Sequence, residues 1–199
     1  MAWDRARLLF RSTLVTAVAL ALAAATLGAC DDQDEDEGRL ADGGQAVLTE
    51  PQIVGVTATA NQGEIDMAAA YLPRGQNAQA RAFAQQMITE HQAALNSDTA
   101  LARSLGITPA PSIAQQQLLT LTDQTIVQLQ ATQPPQLDLG YMQSQVVAHQ
   151  QVLLTIDQQL LPSATTPALR DQLVRMRATV AGHLDEAQAI VQNLMAVAR

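Results

Sequence analysis

The sequence predicts an all-α protein, a four-helix bundle with an extra short helix crossing between its two halves. Three observations carry this. Apolar residues recur at three- and four-residue spacing over four long stretches, and no stretch of comparable length alternates with period two. Hydrophobic residues make up 48% of the chain but aromatics only 3%, so the core must be built from Ala, Leu, Val, Ile and Met, a palette that suits helix packing better than a sheet. The periodic stretches are separated by Pro73 with Gly75, by Gly106 with Pro109 and Pro111, by Pro134-Pro135 and by Pro162.

The first thirty residues stand apart from the fold. Arg5, Arg7 and Arg11 form a positive region, an apolar run follows from Leu14 to Leu27, and small residues lead to the only cysteine, Cys30. This is the pattern of a secretory signal over residues 1–29. Leu27-Gly28-Ala29-Cys30 resembles the bacterial lipobox, whose cysteine is lipidated. A plain signal peptide or an uncleaved membrane anchor is the alternative. More than one acyl chain on Cys30 gives stable attachment to a membrane, and a cysteine so used leaves no disulfide. Residues 30–47 add the acidic block Asp31-Asp32-Gln33-Asp34-Glu35-Asp36-Glu37 and a Gly-rich passage. Such a block repels itself, stays extended and reads as a tether.

Residues 48–199 form the expected domain. From about Leu48 to Leu72 the stripe is Ile53, Val56, Ala60, Met67 and Tyr71, with Glu64 on it. The second helix, about Asn77 to Leu105, carries Ala80, Phe83, Met87, His91, Ala94, Asp98, Leu101 and Leu105, and Gly106 stops it. Ser112 to about Ala131 is a shorter helix on Leu118, Leu121, Thr125 and Leu129. Asp138 is the expected cap of the next, which runs to about Leu161 on Tyr141, Gln145, His149, Val152, Ile156 and Leu160. Thr166 caps the last helix, with Pro167 in its first turn, on Leu169, Leu173, Met176, Val180, His183, Ala187, Ile190 and Leu194. Short turns inside each pair and a long linker from Gly106 to Leu137 give the crossover plan of ferritin-like folds. An up-down bundle with an appended helix is the rival.

The chain has three histidines, each on the inward stripe of a different long helix, and Glu64 occupies the same kind of position on the remaining one. Glu64 lies twelve residues before the first turn at Gln76, and His91 fifteen after it. At roughly 1.5 Å per residue the offset is about 4–5 Å. His149 and His183 lie fifteen and nineteen residues either side of Ala164. All four therefore stand near mid-bundle, and each buried polar group costs about 1–3 kcal/mol if unpaired. One reading is a metal site of Glu64, His91, His149 and His183, a set that suits zinc, copper or iron. The other is a hydrogen-bonded network in which Glu64 holds the rings with Tyr141. Met87, one turn before His91, offers a thioether to copper or simply fills the core. Glu90 points about 100° away from His91, toward rim or solvent. Asp98 extends the network or, as the favoured reading, pairs with an arginine.

Some chemistry is excluded. The net charge of −8 argues against nucleic-acid binding. No catalytic nucleophile motif occurs, and nothing Gly-rich follows a strand. A di-iron centre built on two Glu-x-x-His pairs is not supplied, since Ile88 and Val180 stand three residues before His91 and His183.

The segments Gly63-Glu64-Ile65, Phe83-Ala84-Gln85-Gln86-Met87-Ile88-Thr89-Glu90-His91, Leu101-Ala102 with Gly106, Leu137-Asp138-x-x-Tyr141, His149 and His183-Leu184 together resemble the domain-of-unknown-function 4142 family. These are secreted bacterial proteins, often labelled outer-membrane proteins, and the resemblance implies a ferritin-like fold and no defined activity. The chain departs from the family pattern at Glu90 (usually Asp), Asp98 (usually Leu) and Leu137 (usually Phe). More distantly it is similar to ferritin-like secreted proteins whose Met and His motifs are linked to copper. The expected function is that of a lipid-anchored envelope protein with a non-catalytic binding or support role, its bundle facing the periplasm and its partner open. Metal binding or redox chemistry is the alternative.

Overall fold

The computed structural model describes residues 47–197. The signal segment, Cys30 and the acidic tether lie outside the described residues. Within them are five helices and no strand: α1 (Glu50–Tyr71), α2 (Ala78–Ser104), α3 (Ile113–Ala131), α4 (Pro134–Thr155) and α5 (Pro167–Val197). Helix α4 continues through a π-helical turn, Ile156–Leu160, and a last α-turn, Leu161–Ser163. Pro162 has no N–H to give Gln158 and its ring crowds that carbonyl, which accounts for the wider turn just ahead of it. No helix among the described residues is long and apolar enough to cross a membrane.

Local chemistry sets the ends. Thr49 and Gln52 close a capping box at the start of α1. Asn77 accepts from the amides of Gln79 and Ala80 at the start of α2. Gly106, with φ of +69°, ends α2 while Ile107 N–H bonds Ala102 O and Gly106 N–H bonds Arg103 O, the two bonds of a Schellman stop.

Asp138 does not cap α4. The helix begins four residues earlier, with Pro134 and Pro135 in its first turn, where missing N–H groups cost nothing. Asp138 instead accepts from Tyr71 Oη (2.5 Å) and from the amides of Gln76 and Asn77 (2.9 Å each), fastening the α1–α2 turn to α4. At the opposite end Glu50 accepts from the amides and hydroxyls of Thr165 and Thr166, and those bonds hold its carboxyl below the usual range. Thr166 thus stands at the start of α5, but its hydroxyl donates to Glu50.

These ties fix the topology. Helix α1 runs away from the α4–α5 turn, α2 returns, α3 climbs back along the outside of α1, α4 descends and α5 ascends. This is the ferritin-like crossover plan, with α3 as the crossover. Helix α1 packs against both α2 and α3, which is why it is buried on nearly every side. The approach of the α2–α3 connection to α1 depends on Gly55, where a Cβ would stand 2.5 Å from the carbonyl oxygen of Ala110. Gly55→Ala is therefore expected to lose about 1–2 kcal/mol to overpacking, more than the ~1 kcal/mol alanine gains in a helix. A lower urea midpoint at unchanged slope would show it.

The core is in two parts. Ile53, Val56, Ile156, Leu160, Leu169 and Leu173 fill the end near the α4–α5 turn. Tyr71, Phe83, Met87, Leu137, Tyr141 and Ile190 fill the other. Between the two lies a buried polar layer.

Candidate metal centre

The layer contains Asn61 and Glu64 from α1, His91 from α2, Gln145 and His149 from α4 and His183 from α5. The histidines are 5%, 1% and 4% exposed in chain order. Their ring centroids stand 5.3 Å (His91–His183), 5.4 Å (His149–His183) and 6.1 Å (His91–His149) apart. One ligating nitrogen from each lies within 4.8 Å of the others. Three helices deliver them at one height because the stripes run at helical period and the turns are equidistant from them, as the sequence predicts.

Each ring is held from outside by one nitrogen. His91 Nδ1 bonds Asn61 Oδ1 at 2.8 Å, His149 Nδ1 bonds the Gln145 carbonyl at 2.9 Å, and His183 Nε2 bonds Glu90 Oε2 at 2.7 Å. All three partners are acceptors, so each of these nitrogens carries the proton. The Asn61 orientation is itself fixed: its Nδ2 donates to Asp98 Oδ2 at 3.0 Å, which leaves Oδ1 for the ring. The opposite nitrogens, His91 Nε2, His149 Nε2 and His183 Nδ1, are buried and have no partner among the described residues. Three lone pairs are thereby left for the centre.

Burial keeps His91 and His149 neutral. Burial pushes His91 down to about 3, helped by the neighbouring His149 and His183. Burial pushes His149 down to about 4, partly offset by its bond to Gln145. Charging a ring here would place an unpaired cation in a medium that solvates it poorly. Glu64 goes the other way: burial raises its carboxyl to about 7, with the Gln145 amide and the His183 ring pulling it back.

Two of the expected roles change. Glu64 approaches His149 at Nδ1 (3.7 Å), the edge already bonded to Gln145, so it stands outside the group of three nitrogens rather than within it. Asp98 has no arginine partner. It accepts from Asn61 and, at 2.8 Å, from Gln172 Nε2, and burial pushes its carboxyl up against those donors. Glu90, expected at the rim or in solvent, is 44% exposed but spends Oε2 on His183, because the α2 face turned toward α5 includes it. Met87 is fully buried in the apolar cluster. Tyr141 stacks on Tyr71 at 4.0 Å, and its buried hydroxyl has no partner. Its phenol is raised by burial, by Glu64 and by Tyr71.

The family model DUF4142, a domain of unknown function, matches residues 37–190. The chain belongs to the DUF4142 family. A solved structure, a DUF305 fragment from Deinococcus radiodurans, is similar to this DUF4142 chain at 15% identity and a TM-score of 0.62, covering 73% of this chain and 97% of that one. At that identity the likeness speaks for the helical fold alone. No functionally curated protein matches. In this DUF4142 bundle Asn61, Glu90 and the Gln145 carbonyl are functional candidates beyond the expected set. Only Gln145 carried a sequence signal, the i−4 position on its own helix.

Three imidazoles, each with one nitrogen bonded outward, suit a borderline metal ion. Nitrogens bound to one ion at about 2.0–2.1 Å in tetrahedral geometry stand roughly 3.3 Å apart. From the 4.8 Å limit the nitrogens would have to draw together by up to about 1.5 Å to hold one ion.

Proposed function

We propose that this DUF4142 protein binds one zinc or copper ion through His91 Nε2, His149 Nε2 and His183 Nδ1. The observation that carries the proposal is the division of labour on every ring, one nitrogen bonded to an outer acceptor and the other buried without a partner. Leaving each of those lone pairs bare costs about 1–3 kcal/mol, and one ion would take all three. Outer acceptors that set the tautomer are what metal-binding histidines have. Iron is disfavoured, because Glu64 stands outside the nitrogen group and no carboxylate joins it.

The leader, the lipobox-like Leu27-Gly28-Ala29-Cys30 and the acidic block support an ion-binding module tethered by lipid in the bacterial cell envelope, facing the periplasm. Between the two roles expected from sequence, metal binding has the stronger support.

The test is elemental analysis of natively purified protein, followed by zinc and copper titration. One ion per chain is expected, and neither metal binding above the background of a variant lacking all three histidines would refute the proposal. Asn61→Leu removes the acceptor that orients His91 and is expected to weaken the ion by about 10–100-fold, the usual cost of an outer partner, with circular dichroism unchanged.

A further inference from the structure

Three protein nitrogens do not complete a zinc or copper(II) ion. Zinc sites with three protein ligands keep a fourth position for water or substrate. Among the described residues no fourth histidine, cysteine or carboxylate joins the group. A cleft of about 260 Å³ lies between α2 and α5, and both His91 and His183 line it. His149 is not among its lining residues. Ala93, Ala94 and Ser97 keep the α2 wall low, so the space runs from the surface to the edges of two of the three rings, just short of their buried inward nitrogens.

We infer that the cleft admits a small neutral molecule, one carrying both a lone pair and a proton, to an exchangeable fourth position on the ion. This rests on the metal reading above. Charge selects the class. Glu90 bonds His183 directly, and Asp98 reaches His91 through Asn61, so two carboxylates already offset a divalent ion. An incoming anion would leave the group with net negative charge beside two rings that are themselves almost wholly buried. Arg175 is the only cation in the lining, and it is exposed and bonded to Gln172 Oε1 at 2.8 Å. Glu90 also lines the cleft, and its second carboxylate oxygen is the acceptor we assign to the proton of an entering molecule. Water, ammonia and hydroperoxide belong to this class. At about 30 Å³ per water, the cleft has room for a molecule several times that size.

The experiment loads the full chain with cobalt(II), carrying Cys30→Ser so that no thiol competes, and follows the visible absorption of the ion. Imidazole at pH 8 serves as the neutral probe and azide as the anionic one. Imidazole is expected to bind at least about tenfold more tightly than azide, and Glu90→Gln to narrow that ratio to about threefold or less. Ala94→Trp fills the cleft and is expected to abolish both responses while cobalt stays at one per chain. Thr179→Trp, on the exposed side of α5, repeats the block should Ala94→Trp fail to fold. Loaded cobalt whose spectrum ignores both probes, or azide binding the tighter, overturns the inference alone. Absence of stoichiometric cobalt overturns the metal reading and takes this one with it.

Discussion

His149→Leu is expected to weaken zinc or copper binding by more than a hundredfold while leaving the metal-free fold as stable as before or more so. The ring supplies one of three nitrogens, and losing a ligand costs more than the 10–100-fold attached to an outer partner. Leucine keeps most of the volume at a site that is 1% exposed, and it removes a buried nitrogen that has no partner. That orphan costs the metal-free protein about 1–3 kcal/mol, so its removal offsets the change of shape. The two effects separate in one pair of melting curves. With free ion at about 100 times its dissociation constant, the unaltered chain gains roughly 2.7 kcal/mol, or about 5–10 °C, and the variant gains nothing. Equal ion-induced shifts in both proteins would show that His149 is not a ligand.

The metal-free protein is expected to lose several kcal/mol of stability between pH 6.5 and 4. His91 and His149 are held down to about 3 and about 4 in the fold, and return to about 6.5 on unfolding. Below pH 6.5 the unfolded chain therefore binds two protons that the fold refuses, and stability falls with falling pH until the folded values are reached. Glu64 opposes this. Its carboxyl, raised to about 7, holds a proton in the fold that the unfolded chain releases above about 4.5, a contribution present at low pH and lost as pH rises through 7. From 6.5 to 4.5 the balance is about one proton in favour of unfolding, and below 4.5 about two. Urea midpoints at pH 7, 5.5 and 4 should fall along a steepening curve. A flat profile would mean that the rings accept protons inside the fold.

The bundle was legible because helix period, capping residues and breakers are local properties. The stripes of α2, α4 and α5 are buried largely as the spacing predicts, and Gly106 ends α2 in the left-handed conformation that glycine adopts cheaply. The start of α4 was misread because a proline pair signals both a stop and a first turn, and Asp138 proved to serve a distant turn instead. The three histidines were legible for the same local reason, together with simple rise-per-residue arithmetic. Their outer partners were not. Asn61 sits one turn before Glu64 on α1 with nothing in the sequence to mark it. Glu90 lies about 100° from His91 on its own helix, and its pairing depends on which way α2 turns toward α5.

Amino-acid order by itself determined an all-helical chain, the ends of most of its rods and a common height for one glutamate and three imidazoles, since periodicity and rise act within a single helix. Only the tertiary structure decided that the imidazoles converge while Glu64 stays behind His149, that Asn61, Gln145 and Glu90 hold the protons outward, and that a cleft lined by His91 and His183 lies between α2 and α5. The rotation of each rod about its axis, and the gap between rods, come from packing against neighbours far away in sequence. Those two quantities choose which edge of a buried ring faces its companions.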